Sequence, residues 1–162
     1  MALELKDDIL IAAPRDRVYA ALNDTATLQR AIPGCEELIR HSETDLEAKV
    51  VLKIGPVKAR FAGKVTLDQT GAPGSFSLRG EGSGGVAGFA KGGAVVTLED
   101  RGAETLLSYN ASADVGGKIA QLGSRLIAGT ARKLADQFFT AFAAEVSAAE
   151  ATTTENGPAE QV

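Results

Sequence analysis

The sequence predicts an α+β fold in which a curved antiparallel sheet of about seven strands surrounds one long C-terminal helix. Two observations carry this prediction. From residue 35 to 115, apolar and polar side chains alternate with a period of two between short turns, as in consecutive strands. From residue 117 to about 148 the period becomes that of a helix. Because a curved sheet must cover its concave face, we expect the long helix to lie across it.

One strand and two short helices precede the alternating region. Residues 3–12 alternate loosely and are rich in leucine and isoleucine, which favours a strand. Pro14 then stands where a helix can begin, because its ring fixes a helical φ. Either Asp24 or Thr25 can cap a second short helix that runs through Ala31.

The middle of the chain predicts a series of hairpins with one apolar and one polar face. Residues 46–54 alternate hydrophobic with mostly charged side chains, and residues 57–67 do so again after the turn at Gly55-Pro56. Further alternating stretches follow between residues 75 and 113. Because only short turns separate them, the strands are expected to form an antiparallel meander.

The glycine-rich stretch GEGSGG, residues 80–85, matches the spacing GxGxxG. In a dinucleotide-binding fold this motif joins a strand to a helix, whereas here predicted strands flank it on both sides. A phosphate site is therefore not favoured. Two interpretations stay open: a strongly bent hairpin, or a flexible lip over a cavity.

The long helix of residues 117–148 carries a basic stripe. Lys118, Arg125 and Arg132 recur at seven-residue spacing on the face opposite the apolar one. Such a stripe indicates either a solvated helix face or a surface that docks to anions such as lipid headgroups. Gly123 falls near the apolar face, where the missing side chain is expected to leave space beside the sheet.

The available residue types argue against most catalytic and metal sites. His41 is the sole histidine and lies in a polar stretch, so a zinc site and a histidine-based triad have little support. Cys35 is the sole cysteine, which excludes an internal disulfide, and no base stands near it in the sequence. Glu36 and Glu37 are adjacent on a strand and should point to opposite faces, a poor arrangement for paired acid/base work.

Composition predicts one domain at residues 1–148 and a disordered polar tail at 149–162. The net charge of −4 disfavours nucleic acid as a partner. The N-terminus is acidic where a signal peptide would be basic, and no stretch is apolar enough to cross a bilayer. We expect a cytoplasmic protein, either free or peripheral on the inner face of the cytoplasmic membrane.

Four blocks of the sequence, in the same order, resemble the CoxG family of carbon monoxide dehydrogenase subunits. The resemblance covers about residues 2–146 and places the chain in the START-like (SRPBCC) superfamily, whose architecture is the helix-grip fold. The blocks are AIPGCEEL (31–38), KIGPVKARFAGKVTL (53–67), GEGSGGVAGFAKGGAVVTL (80–98) and YNASADVGGKIAQLGSRLI (109–127).

This resemblance implies a non-catalytic accessory protein of an aerobic carbon monoxide dehydrogenase or a related molybdenum hydroxylase. It also implies no covalent cofactor, an apolar cavity that holds a quinone or another lipid, and a role in linking the enzyme to the membrane. Two alternatives stay open. One is a purely structural adaptor whose core is filled by side chains, and the other is a small-molecule cyclase or hydrolase of the same superfamily.

Element order and strand parity give candidate residues for the cavity, and no catalytic or metal-binding residue is assigned. At the entrance we expect Ile32, Pro33, Ile54, Val57, Val86, Phe89 and Ile119. In the interior we expect Phe61, Val65, Val96, Tyr109, Leu126 and Phe138.

Overall fold

The computed structural model describes the backbone of residues 1–161 and the side chains of residues 1–148. The tail expected to be disordered, 149–162, lies outside the described side chains, and that expectation stays a prediction. Across the described backbone the chain forms seven strands and three α-helices. In chain order they are β1 (Ala2–Ile11), α1 (Arg15–Leu22), α2 (Thr25–Ala31), β2 (Cys35–Arg40), β3 (Asp45–Ile54), β4 (Val57–Asp68), β5 (Ser75–Ser83), β6 (Phe89–Arg101), β7 (Glu104–Gly116) and α3 (Ser124–Gln161).

The strands form one antiparallel sheet in the order β1-β7-β6-β5-β4-β3-β2. Strands β2 to β7 make the expected meander, and β1 pairs with the last strand, so that Ile11 stands opposite Thr105. Helices α1 and α2 carry the chain from β1 at one edge of the sheet to β2 at the other. The predicted α+β class, with a long C-terminal helix on a curved antiparallel sheet, is confirmed.

Two separate hydrophobic clusters attach α3 to the sheet. In the first, the base cluster, α1, α2 and the middle of α3 pack on the sheet around the fully buried Phe142. In the second, the loop cluster, the start of α3 packs against the connections at the other end of the sheet. The base cluster consists of Ile11, Ala13, Val18, Ala31, Phe76, Val96, Leu98, Leu107, Phe142 and Val146. The loop cluster consists of Ile54, Ala87, Val115, Ile119 and Ile127.

Between these clusters the concave face of the sheet carries very small residues. Ala48, Gly63, Gly82 and Ala90 stand opposite one another on four neighbouring strands, β3 to β6. We call this line the small-residue row. A shorter parallel line consists of Gly80, Gly92 and Ala113. Since none of these side chains is larger than a methyl group, the sheet has little with which to fill the space beneath the helix.

The long helix begins later than predicted. Residues Lys118–Leu122 form a 3₁₀ turn, and α3 starts only at Ser124. Gly123 between them has φ of +99°, a conformation that residues with a side chain rarely adopt. Gly123 is therefore a required break and not a gap in a helix face, which corrects the expectation. The basic stripe is interrupted as well, because Lys118 does not share a helix with Arg125.

A β-bulge at the start of β2 changes the orientation expected for two glutamates. The register between β2 and β3 shifts between Cys35 and Glu37. As a result Glu36 and Glu37 both reach cations on the convex face: Arg60 Nε lies 2.6 Å from Glu36 Oε1, and Lys49 Nζ lies 3.4 Å from Glu37 Oε2. The expectation of opposite faces was wrong, and each carboxylate forms an ion pair of its own.

Two long-range polar contacts hold the helical layer at the base cluster. Thr105 is fully buried at the start of β7, and its hydroxyl donates to the backbone oxygen of Ala13 at 2.8 Å. Arg30 of α2 donates from two nitrogens to the two carboxylate oxygens of Glu145 on α3, at 2.8 and 3.1 Å. The first contact fixes the chain where it leaves the sheet, and the second ties α2 to α3.

We expect Thr105→Val to lower the free energy of unfolding by about 1–3 kcal/mol, because the buried oxygen of Ala13 loses its donor. Urea denaturation measures the change. The matched control is Thr97→Val, since Thr97 is exposed on β6 and makes no side-chain hydrogen bond within the described part of the chain. Equal effects of the two substitutions would show that the Thr105–Ala13 hydrogen bond does not stabilise the fold.

Candidate functional site

A cavity of about 580 Å³ lies between α3 and the concave face of the sheet, in the space left by the two clusters. Its walls come from β1, β3 to β7, the α2–β2 turn, the 3₁₀ turn before α3, and α3 itself. Apart from Tyr109 and Thr130, every lining side chain is apolar or a glycine. The lining residues are Leu3, Leu5, Ile32, Pro33, Ala48, Val50, Leu52, Ile54, Phe61, Gly63, Gly82, Ala90, Tyr109, Ala111, Ala113, Val115, Ile119, Ile127, Thr130, Ala131, Leu134, Ala135, Phe138 and Phe139.

The helix contributes one continuous face to this cavity. From Ile127 to Phe138 its lining residues recur three or four positions apart, the spacing of side chains on one side of an α-helix. At the middle of this face stand Ala131 and Ala135, opposite the small residues of the sheet. Small side chains on both walls keep the volume open, while the clusters at either end prevent α3 from moving closer to the sheet.

Tyr109 is the one ionisable side chain in the lining. Its ring stacks on Phe139 with centroids 5.1 Å apart. No group within residues 1–148 makes a hydrogen bond with its hydroxyl. Burial raises the pKa of this phenol, the carboxylates of Asp7 and Asp136 raise it further, and Arg132 partly opposes them. The hydroxyl therefore keeps its proton at neutral pH and is free to donate it in a hydrogen bond.

Thr130 is the second lining residue with a polar side chain, but its hydroxyl is already used. It donates to the backbone oxygen of Leu126 at 2.9 Å, one turn earlier in α3. A threonine bonded in this way presents its methyl group to the surroundings. The cavity consequently offers one uncommitted donor, at Tyr109, in otherwise apolar surroundings.

The structure places seven of the expected cavity residues in the lining. From the predicted entrance these are Ile32, Pro33, Ile54 and Ile119. From the predicted interior they are Phe61, Tyr109 and Phe138. Their strand parity or position in a turn was readable from the sequence.

Six expected residues lie outside the lining, for three different reasons. Val96 is buried in the base cluster, and Val57 packs against the loop cluster. Val65 is half-buried on the concave side, opposite Leu46 and beyond the end of the cavity.

The other three expected residues face solvent. Val86 is 92% exposed at the tip of the β5–β6 connection. Phe89 is 51% exposed because its position on β6 points to the convex face, where its ring covers Gly116. Leu126 is 39% exposed at the start of α3, beside Gly55.

The residues that sequence reasoning missed are mostly the small ones. Ala48, Gly63, Gly82 and Ala90 have the correct parity for the concave face, but a glycine or alanine gives no apolar signal of its own. Their significance appears only in the register, which aligns them across four strands. β1 also contributes lining residues, and this required its pairing with β7 to be known.

The convex face carries a second depression, of about 320 Å³, on the other side of the small-residue row. A line of alternating charges crosses it, because Glu47, Lys64, Glu81 and Lys91 stand opposite one another in register. Side chains of alternating charge on neighbouring strands stabilise each other and attract no single class of ligand. The apolar cavity is therefore the better candidate site.

Other chemistry has little support in the described residues. Burial raises the pKa of the Cys35 thiol, which disfavours the nucleophilic thiolate. His41 is about half exposed, with Nε2 at 3.2 Å from Glu47 Oε1. Within residues 1–148, histidine, cysteine and acidic side chains form no group of three that could hold a metal ion. No helix in this part of the chain is long and apolar enough to cross a bilayer.

The fold is similar to those of several solved structures. A conserved protein from Geobacillus kaustophilus has a TM-score of 0.82 and 28% identity, covering 91% of this chain and 95% of that one. The Zhui aromatase/cyclase from Streptomyces sp. R1128 has a TM-score of 0.68 and 13% identity, with 91% and 94% covered. A START superfamily protein from Mycobacterium smegmatis has a TM-score of 0.66 and 14% identity, with 89% and 97% covered. The last two likenesses establish the START-like fold alone.

No curated protein sequence matches the chain. The family model for CoxG, a carbon monoxide dehydrogenase subunit, matches residues 8–147. That range contains α1, α2, strands β2 to β7 and the part of α3 that lines the cavity. The resemblance seen in the four sequence blocks is confirmed, and the chain belongs to the CoxG family of carbon monoxide dehydrogenase subunits.

Proposed function

We propose that this protein is a non-catalytic carrier that binds an isoprenoid quinone, or a lipid of similar chemistry, in the cavity beneath α3. The observation that carries the proposal is an apolar cavity of about 580 Å³ with a single uncommitted donor, the Tyr109 hydroxyl. A quinone combines a hydrocarbon tail with a carbonyl oxygen that accepts a hydrogen bond. The cavity supplies one group for each requirement.

The size of the cavity supports a small-molecule ligand. Sites for small molecules commonly measure about 300–1,000 Å³ and are lined by apolar side chains with few polar groups. A volume of about 580 Å³ falls within this range. It also counts against the purely structural adaptor, because a core filled by its own side chains leaves few voids larger than a water molecule.

A catalytic role in the cavity lacks the necessary groups. General acid/base or nucleophilic catalysis needs ionisable side chains within hydrogen-bonding reach of the substrate. Tyr109 alone meets that condition in the lining, and the elevated pKa of its phenol makes it a poor base at neutral pH. Turnover of a polyketide-like or amide substrate by the purified protein would contradict the non-catalytic role.

Family membership supports the second half of the proposal. The family is described as a subunit of carbon monoxide dehydrogenase. We therefore infer that the partner enzyme is an aerobic carbon monoxide dehydrogenase or a related molybdenum hydroxylase. In this role the protein moves the hydrophobic ligand between the cytoplasmic membrane and the enzyme. Co-purification of the full chain with such an enzyme tests the partnership.

Filling the cavity should abolish ligand binding without unfolding the protein. A Cβ atom added at Gly82 would meet its nearest atoms at 3.6 and 3.8 Å, which is ordinary contact, so Gly82→Leu is tolerated by the backbone. Its side chain would then occupy the cavity. We expect the affinity for a decyl-substituted benzoquinone to fall at least about tenfold, since the tail loses buried apolar contact. Fluorescence titration of delipidated protein measures it.

The matched control is Ala62→Leu, because Ala62 is an exposed residue on the convex face of neighbouring β4. This variant adds the same side chain to the sheet but leaves the cavity empty, and it should bind the quinone like the unmodified protein. Unchanged affinity in Gly82→Leu, with circular dichroism confirming the fold, would contradict a ligand site beneath α3.

Tyr109→Phe should weaken binding selectively for ligands with a carbonyl head. The substitution keeps the ring that stacks on Phe139 and removes only the hydroxyl. We expect about a threefold to tenfold loss of affinity for the decyl-substituted benzoquinone, the effect of one neutral hydrogen bond. Affinity for decylbenzene, which has no acceptor, should not change.

Tyr19→Phe is the control for this experiment, because Tyr19 packs against Phe76 at the base cluster and lies away from the cavity lining. If Tyr109→Phe weakens both ligands equally, the effect comes from packing, and the hydrogen bond to a carbonyl is disproved.

A further inference from the structure

Three connections at one end of the sheet form a continuous surface, which we call the loop end. They are residues 53–58, residues 84–89 and residues 116–126. Each contributes a buried side chain to the loop cluster, in order Ile54, Ala87 and Ile119. Two of these residues, Ile54 and Ile119, also line the cavity, so the loop end is its end wall.

The backbone of the loop end is closely packed. A Cβ atom at Gly117 would lie 2.6 Å from Gly88 Cα, and one at Gly55 would lie 2.8 Å from Leu126 Cδ2. Backbone can approach this closely only where no side chain intervenes. The three connections therefore act as one rigid surface, and side chains from all of them reach the same solvent region.

The charges on this surface have one sign. The three connections contain four cationic residues, Lys53, Lys58, Lys118 and Arg125, and no aspartate or glutamate. All four side chains are exposed, and none forms an ion pair with any residue among 1–148. This arrangement stands out in a chain whose net charge is −4.

Two of the cations even face each other. Lys53 and Lys58 are directly opposite in the register of β3 and β4. Like charges opposite one another destabilise a strand pair, in contrast to the alternating charges elsewhere on the convex face. The loop end therefore keeps unneutralised positive charge at a local cost in stability.

Exposed apolar side chains stand among these cations. Val86 is 92% exposed, Phe89 51% and Leu126 39%. Val86 occupies a 3₁₀ turn, Gly85–Ala87, that extends from the sheet between β5 and β6. Exposed apolar groups surrounded by lysine and arginine, without acidic residues, are typical of surfaces that sit in the interface of an anionic membrane.

We propose that the loop end docks the protein on a bilayer of anionic lipids, with the four cations on the headgroups and Val86 and Phe89 inserted between them. This surface would place the end wall of the cavity against the membrane. The inference rests on the proposed carrier function and deepens it by identifying where the ligand crosses. Arg132, which lies farther along α3 near Asp136, is not part of this surface.

Vesicle flotation of the full chain tests the proposal. One set of vesicles contains phosphatidylcholine alone, and the other contains phosphatidylcholine mixed with phosphatidylglycerol. We expect binding to the anionic vesicles only, weakened by added salt. Replacing Lys53, Lys58, Lys118 and Arg125 together by Gln should reduce that binding at least about tenfold, because each cation near an anionic surface adds to the affinity. Val86→Ser should also reduce it.

A control variant with the same net charge separates a specific surface from a general effect of charge. It replaces four exposed cations elsewhere by Gln: Lys6, Lys64, Arg79 and Lys133. This variant should bind anionic vesicles nearly as well as the unmodified protein. Equal losses in the two variants, or failure of the unmodified protein to prefer anionic vesicles, would overturn the proposal. In the latter case an acidic protein surface becomes the occupant of the loop end.

The decyl-substituted benzoquinone is titrated against the same variants without vesicles. Retained quinone binding with lost flotation supports the docking surface and leaves the carrier function intact. Normal flotation of a protein that binds no quinone would contradict the carrier function and not the docking surface. The two proposals therefore fail separately.

Discussion

The architecture depends on small side chains where α3 crosses the sheet. Ala48, Gly63, Gly82 and Ala90 align across four strands, and alanines on the helix face them. A sheet of ordinary valine and leucine residues would close onto the helix and fill the interior. Here the apolar contacts are instead concentrated in two clusters, and the space between them stays open.

Stability and ligand capacity are consequently separated along the length of α3. At the base cluster Phe142 is fully buried, Thr105 holds the chain segment that enters α1, and Arg30 links α2 to Glu145. At the loop cluster glycines with positive φ, including Gly123, allow the chain to turn tightly into the helix. Both ends are rigid for different reasons, and this leaves Tyr109 as the isolated polar group between them.

The sequence allowed the whole order of elements to be predicted, because alternation and helical spacing are local signals. It also placed Ile32, Ile54, Tyr109 and Phe138 in the cavity lining correctly. What it could not supply was register: the small-residue row exists only when four strands are aligned. Local backbone geometry was missed for the same kind of reason, since the positive φ at Gly123 depends on how the 3₁₀ turn meets α3.

The most direct test of the central claim is native mass spectrometry of the full chain purified from membranes of its own cells, with the bound species identified after release. We expect one bound molecule per chain, with a hydrocarbon tail and a ring carbonyl, that is displaced in Gly82→Leu. Purification of the chain without any bound molecule, together with no saturable uptake of quinones or other lipids by the delipidated protein, would contradict a carrier function.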